Sequence, residues 1–343
     1  MRTALLAGLA AIFTVGATAP NAGAADADHT IDIKEWAVPY EASRPRDPFA
    51  VDGDTVWFVG QKAGYLAKLS VADGAFTKVA LKDGSGPHNL IVGSDGIVWY
   101  AGNLTRLIGR YDPKTETIEE IPMPDAAARD PHTLVFDTKE ENIWFTVQGG
   151  NFIGRLNIES RNVDLIPSPT PRSRPYGIKV GPDGDIWVVL FGTNKIAHID
   201  PSTLTLKEVP LPREEARPRR VEVTNDGRVW YGDYAGGVLG VYDPTDETFE
   251  EWPMPQGDDA RPYGMASDGG GRIWMVATGF QPNMFVGFNP KTEAFFSETP
   301  VPSGGGVIRH MHYNAPTGAV WFGADANTIG RALVEPKDDA PGF

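Results

Sequence analysis

No cysteine occurs among the 343 residues, which removes disulfide staples, thiolate nucleophiles and cysteine-bound zinc from the chemistry open to this chain. Positive charge is scarce: 31 Lys and Arg face 45 Asp and Glu, for a net charge of -14. A surface for nucleic acid would carry clustered cations, so no nucleic-acid partner is expected. Long apolar runs are also missing. The only one, Ala4 to Val15 near the N-terminus, is too short to span a bilayer, and no membrane association is expected. Amphipathic helix patterns are absent, and the 39 Gly and 29 Pro point to many turns instead.

That single apolar run follows Arg2 and precedes Ala22-Gly23-Ala24, small residues at the spacing of a signal-peptidase site. Residues 1–24 therefore read as a signal peptide, and the mature chain is expected to be exported to a periplasm or beyond. Residues 25–30 form a short tail, 31–335 one domain, and 336–343 a C-terminal tail. With no disulfides, stability must come from a core of the size that such a domain can bury.

Tryptophan supplies the organising signal. Trp57, Trp99, Trp144, Trp187, Trp230, Trp274 and Trp321 recur at intervals of 42, 45, 43, 43, 44 and 47 residues. Around Trp187 four short β-like runs are visible, YGIKV, DIWVV, KIAHID and LKEVP, separated by Pro-Asp-Gly and Pro-Ser-Thr turns. A four-strand repeat of this length is a propeller blade. The last repeat stops after its third strand, TIGRAL, and the segment IDIKEWAVP from Ile31 matches the fourth-strand pattern TFEEWPMP at Thr248. The expected fold is all-β: a seven-bladed propeller of four-stranded blades, closed by the N-terminal strand completing the last blade. The repeated tryptophans are expected in the core between blades.

Innermost strands of a propeller surround its central channel. Alignment of the repeats gives Phe49, His88, His132, Tyr176, Arg219, Tyr263 and His310 as the residues opening these strands. All are aromatic, imidazole or cationic, and together they are expected to line one mouth and bind substrate. Two positions on, the same strand face carries Val51, Leu90, Leu134, Ile178, Val221, Met265 and His312, so His312 breaks an apolar row. Arginines collect in the entering links, among them Arg44, Arg46, Arg129, Arg174, Arg217, Arg220, Arg261 and Arg309. They make this mouth locally basic, suited to a small molecule or oligosaccharide with anionic or carbonyl oxygens. The same arginines could equally serve only to pair surface carboxylates.

The unit GPHNLIVGSDGIVWYAGNLTRLIGRYDPKTETIEEIPMP, Gly86 to Pro124, with its Pro-His, Asp-Gly-x-x-Trp and Ile-Gly-Arg motifs, resembles the virginiamycin B lyase (streptogramin B lyase) family. The resemblance runs over nearly all of the mature chain. It implies opening of a cyclic depsipeptide by elimination: a histidine takes a proton alpha to a carbonyl and a magnesium ion stabilises the enolate. The family's base opens the inner strand of the last blade, the position of His310, which stands 11 residues before Trp321 as His88 stands before Trp99. The family's metal-ligand positions fall on Tyr263, Ile308 and Ala324, with Asp325 adjacent, and these are poor ligands for a hard cation.

Three functional readings follow. The first is a lyase-like enzyme with His310 as base, His312 as its orienting partner or a metal ligand, and arginines in place of magnesium; other seven-bladed lyases act on uronate sugars, which makes acidic saccharides an alternative substrate. In the second, His88, His132 and His310 hold a softer divalent metal, which imidazole suits. The third is a non-catalytic exported propeller that binds a ligand or metal. A monomer is expected in each.

Overall fold

The computed structural model describes residues 30–335. The expected signal peptide, all but the last residue of the N-terminal tail, and the 336–343 tail lie outside the described residues. Within them, 28 strands form seven four-stranded antiparallel sheets, and the only helical pieces are two three-residue turns, Asp258–Ala260 and Ala315–Thr317. No helix among them is long and apolar enough to cross a membrane. Numbering blades in chain order, blade 1 begins at Pro45 and blade 7 at Ile308.

Each blade grades from buried to exposed as it runs outward. In blade 2 the inner strand Pro87–Val92 and the second strand Val98–Gly102 are wholly buried, whereas the outermost strand Thr117–Pro122 is mostly exposed, with Glu119 half-buried and Ile121 buried. Apolar runs thus take the two inner places and alternating runs take the edge, as burial on two faces or one demands. Closure occurs where it is expected. Asp32–Ala37 pairs antiparallel with Thr328–Leu333, from Asp32 opposite Leu333 to Ala37 opposite Thr328. This removes the open edge that the incomplete last repeat would otherwise present.

The seven recurring tryptophans are all buried and sit on the second strands. Each lies in a separate apolar cluster at a seam between its own blade and the next. Trp99 packs with Leu134 and Ile143, Trp230 with Met265 and Ile273, and Trp321 with Val56 and Phe58 across the closure. The Ile-Gly-Arg motif has a steric cause in the same layer. A Cβ on Gly109 would fall 2.0 Å from the Tyr100 ring, which lies flat over the third strand.

Candidate functional site in the central channel

All seven inner strands share one irregularity: a β-bulge directly after the opening residues, seen as a register shift between Pro87 and Leu90 in blade 2 and at the equivalent place elsewhere. A bulge adds a residue and re-aims the side chains beside it, so simple alternation cannot be carried across it. The strand ladders define which residues are equivalent. Opposite the tryptophans stand Phe49, Ile91, Val135, Lys179, Glu222, Ala266 and His312.

Counting back from this row corrects two positions of the expected ring. Blade 1 contributes Arg46 rather than Phe49, because the strand starts at Pro45 and not at the second proline, Pro48. Phe49 stacks instead on His312 at 4.1 Å between ring centroids. Val51, expected in the apolar row, lies beyond the strand and is 41% exposed. In blade 7 the first hairpin is one residue longer, with Tyr313 opposite Val320, where blade 2 sets Val92 opposite Val98. Arg309 therefore occupies the ring position, and His310 stands one place deeper, level with Asp47, Asn89, Thr133, Gly177, Arg220 and Gly264. Met311 fills the apolar row, so His312 does not break it; it belongs to the mixed row opposite the tryptophans.

The ring itself is Arg46, His88, His132, Tyr176, Arg219, Tyr263 and Arg309. It is packed rather than open. Arg46, His88, His132, Tyr176 and Tyr263 are each at most 5% exposed. The His88 and His132 rings lie 3.6 Å apart, His132 is 4.1 Å from Tyr176, and the Tyr176 and Tyr263 hydroxyls share a hydrogen bond. Arg219, half-buried, lies 3.8 Å from the Tyr263 ring centroid, 4.3 Å from Tyr234 and 4.5 Å from Phe191. Such cation–π contacts fix the guanidinium but leave its N–H groups available.

The deeper layer is polar. Asn89 donates to Asp47 at 3.0 Å and accepts from the Leu134 amide at 2.9 Å. Arg220, 3% exposed, donates to the Arg309 carbonyl at 2.8 Å and to the Thr133 hydroxyl at 3.2 Å, spanning the channel. Asp47 holds a left-handed backbone (φ 45°), a conformation that Asp tolerates better than most residues, at the point where the bulge turns its carboxylate inward. The Asp47 carboxyl is buried, which alone would raise its pKa, but His310, Arg46 and Arg220 hold it low. His310 is half-buried, its Nδ1 has no hydrogen-bond partner, and its pKa is driven well below the usual value, first by burial and then by Arg220, Lys179 and His312 against the opposing pull of Asp47. At neutral pH it is an uncharged imidazole, able to accept a proton.

The expected basic mouth is largely neutralised. Arg309 forks onto Asp325 with bonds of 2.5 and 2.6 Å, and Arg44 approaches the same carboxylate at 3.5 Å. Open space on this face is a groove of about 530 Å³ lined by Arg44, Gln61, Lys62, Gly84, Gly86 and the exposed Leu104. The set does not fit a divalent metal. Ile308 and Ala324 are buried and offer no ligating side-chain atom, Asp325 is held by arginine, and His132 Nδ1 is engaged by the Thr133 hydroxyl at 2.8 Å. His88 and His132 turn ring faces toward each other, with arginines close by. Among the described residues no group of three or more His, Asp or Glu side chains is arranged for a metal. Sequence reasoning put Arg46 and Arg220 in links and missed Asp47, Asn89 and Thr133. The clue was the proline that starts six of the seven inner strands, read one proline too late in blade 1.

A family model described as the virginiamycin B lyase family matches residues 16–281. Its span stops short of the blade 7 inner strand, so it speaks for the repeat and not for His310. Selenomethionine-substituted virginiamycin B lyase from Staphylococcus aureus superposes with a TM-score of 0.79 at 23% identity, over 88% of this chain and 99% of that one. A streptogramin B lyase structure gives 0.80 at 23% identity, over 90% and 99%. A catalytically inactive variant of the S. aureus enzyme, solved with quinupristin, gives 0.79 at 23% identity, over 88% and 99%. No curated protein matches the chain. At this identity the structural likeness speaks for the shared fold.

Proposed function

This chain belongs to the virginiamycin B lyase family, and from that premise we propose that it is an exported carbon–oxygen lyase whose base is His310. The observation that carries the reading is the state of His310: uncharged at neutral pH, half-buried in the polar layer just below the ring, with an Nδ1 that makes no hydrogen bond. In the proposed reaction His310 takes a proton alpha to a carbonyl. The C–H electron pair becomes the new carbon–carbon double bond, the bond from the β carbon to oxygen breaks, and the oxygen leaves as an anion. The half-buried guanidinium of Arg219 is the group that would stabilise charge developing on the carbonyl oxygen. No step runs through magnesium, because the residues at the family's ligand positions cannot hold it.

Quinupristin is the ligand of the S. aureus structure. The replaced ligand positions favour a different substrate here, and the arginines of the channel favour one carrying carboxylates, such as a uronate saccharide. His312, stacked on Phe49, supports the inner strand that carries His310 and is not expected to touch substrate. Export rests on the N-terminal residues alone, and a monomer remains part of the proposal. The test is a screen of the purified protein against streptogramin B and uronate oligosaccharides, read by absorbance of the new double bond, with His310→Ala alongside. Turnover that survives in His310→Ala would remove the reading. The second reading, a binding propeller without catalysis, draws on the tight packing of the ring and predicts ligand binding with no product.

A further inference from the structure

The charges inside the channel do not balance. Three guanidiniums, Arg46, Arg219 and Arg220, meet one channel carboxylate, Asp47, whose Oδ1 lies 3.6 Å from Arg46 Nε. The other charges nearby are already matched. Lys179 pairs with Glu222 at 2.9 Å, Arg309 with Asp325, and the Asp130 carboxyl at the rim, hydrogen-bonded by Asn103, lies in the field of Arg174 first and Arg46 second. Two positive charges are left without a counter-charge in a region where Arg46 and Arg220 are 5% and 3% exposed. Burying an unpaired charge is strongly unfavourable, and native structures avoid it.

The hydrogen-bonding inventory points the same way. Buried atoms without a partner include Arg46 Nε and Nη2, Arg219 Nε, Arg220 Nη2, His88 Nδ1 and His310 Nδ1. Elsewhere in the described residues such atoms are scattered; here the six lie on inner strands around the channel, together with two acceptors, Asp47 Oδ1 and Glu222 Oε1. The four guanidinium atoms are N–H donors with no acceptor, and around a surplus of positive charge they describe half of a recognition site. Tyr176 feels the same field: burial would raise its hydroxyl, but Arg219, Arg220 and Arg46 overcome this and hold it at about 8.

We propose that the central channel is a binding site for a carboxylate group, received by the free N–H groups of Arg46, Arg219 and Arg220. A carboxylate fits because guanidinium edges present N–H pairs in a plane, the geometry of bidentate carboxylate recognition. The half-buried Arg219 forms the entrance from the mouth. The site stands on the unbalanced guanidiniums and would exist whether or not the chain is a lyase.

The experiment is thermal unfolding of the full purified chain at neutral pH and constant ionic strength, in chloride, acetate, malonate or phosphate, followed by calorimetric titration with malonate. Acetate and malonate are expected to raise Tm along a saturable curve, above chloride and phosphate. Arg220→Met and Arg219→Gln should each weaken the apparent affinity by at least about tenfold, the size of one lost hydrogen bond to a charged group. If Arg220→Met does not fold, the half-buried Arg219→Gln carries the test. The same Tm in every salt, an equal rise in wild type and variants, or a stronger response to phosphate would each overturn the proposal. So would a tyrosinate absorbance that Tyr176→Phe removes and malonate does not quench, since Tyr176 would then supply the missing charge itself. Binding is read without turnover, so its failure and the failure of the lyase reading are separate results.

Discussion

At the seams between blades one solution is used seven times, whereas at the channel seven neighbouring strands carry different side chains at each level. Trp57, Trp99, Trp144, Trp187, Trp230, Trp274 and Trp321 all sit buried on second strands in seam clusters of similar make-up. The ring a few ångströms inward reads Arg, His, His, Tyr, Arg, Tyr, Arg, and the layer below it is equally varied. Blade packing has only to bury apolar area, and any blade can do that in the same way. A site that faces a ligand has no sevenfold symmetry to obey, because the ligand has none. Loss of repetition therefore marks the part of the propeller where chemistry is expected.

The sharpest way to break this contrast is to truncate one residue on each side of it. His310→Ala should lower turnover by about 100- to 10,000-fold, the range for removal of a general base. Its Tm should stay close to wild type, because His310 is half-buried and its Nδ1 makes no hydrogen bond. Trp230→Ala should do the reverse. Trp230 is fully buried against Met265, Ile273 and Phe288, and its removal should cost about 3–5 kcal/mol in denaturant unfolding while the surviving folded molecules keep their turnover. Equal damage to stability from both variants would mean that the channel is packing after all.

A smaller effect tests whether the seam layer is as constrained as its repetition suggests. Gly109→Ala puts a methyl where the Tyr100 ring now lies, 2.0 Å away, and should cost about 1–3 kcal/mol by urea melting, as overpacking does. Adding Tyr100→Val should restore much of the loss, because blade 4 already combines Val188 with Ala197 at the paired positions. If the second change restores nothing, contact between ring and third strand is not the origin of the glycine in the Ile-Gly-Arg motif.

The same contrast explains how much could be read in advance. The fold was legible because seam tryptophans repeat and because Glu35-Trp36 announces a fourth strand far from its blade. The ring was legible in kind, and five of its seven members, His88, His132, Tyr176, Arg219 and Tyr263, stand where expected. The other two failed for a local reason: a one-residue change in hairpin length or a choice between two prolines shifts the register, and the bulge hides the shift from any alternation rule. What no spacing could reveal is how closely the ring packs. That depends on contacts across the channel, such as Tyr176 to Tyr263 and Arg220 to Thr133 and Arg309, between residues 87 to 89 positions apart. Asp47 is legible only once those partners are known.

The mildest test concerns His312, where seam and channel meet. Its ring stacks on Phe49, and its pKa is lowered to about 4, chiefly by burial and then by Lys179, against a hydrogen bond with the Ala50 backbone that raises it. His310 is the other titratable group beside it, and it too is held neutral. An unfolded chain takes up a proton at this histidine near pH 6.5, while the native chain does so only near pH 4. Between those values the unfolded state binds more protons, so stability is full above about pH 6.5 and declines as the pH falls, by at most about 1.4 kcal/mol per pH unit for one such group. His88, His132 and His310 are shifted in the same direction and steepen the decline. His312→Phe keeps the stacked ring and removes the titration. It should flatten the slope of unfolding free energy against pH by one proton in this window while leaving stability at pH 8 within about 1 kcal/mol of wild type, as a near-isosteric swap does. An unchanged slope would mean that His312 already takes its proton in the native state, and that the stack on Phe49 is reached by water.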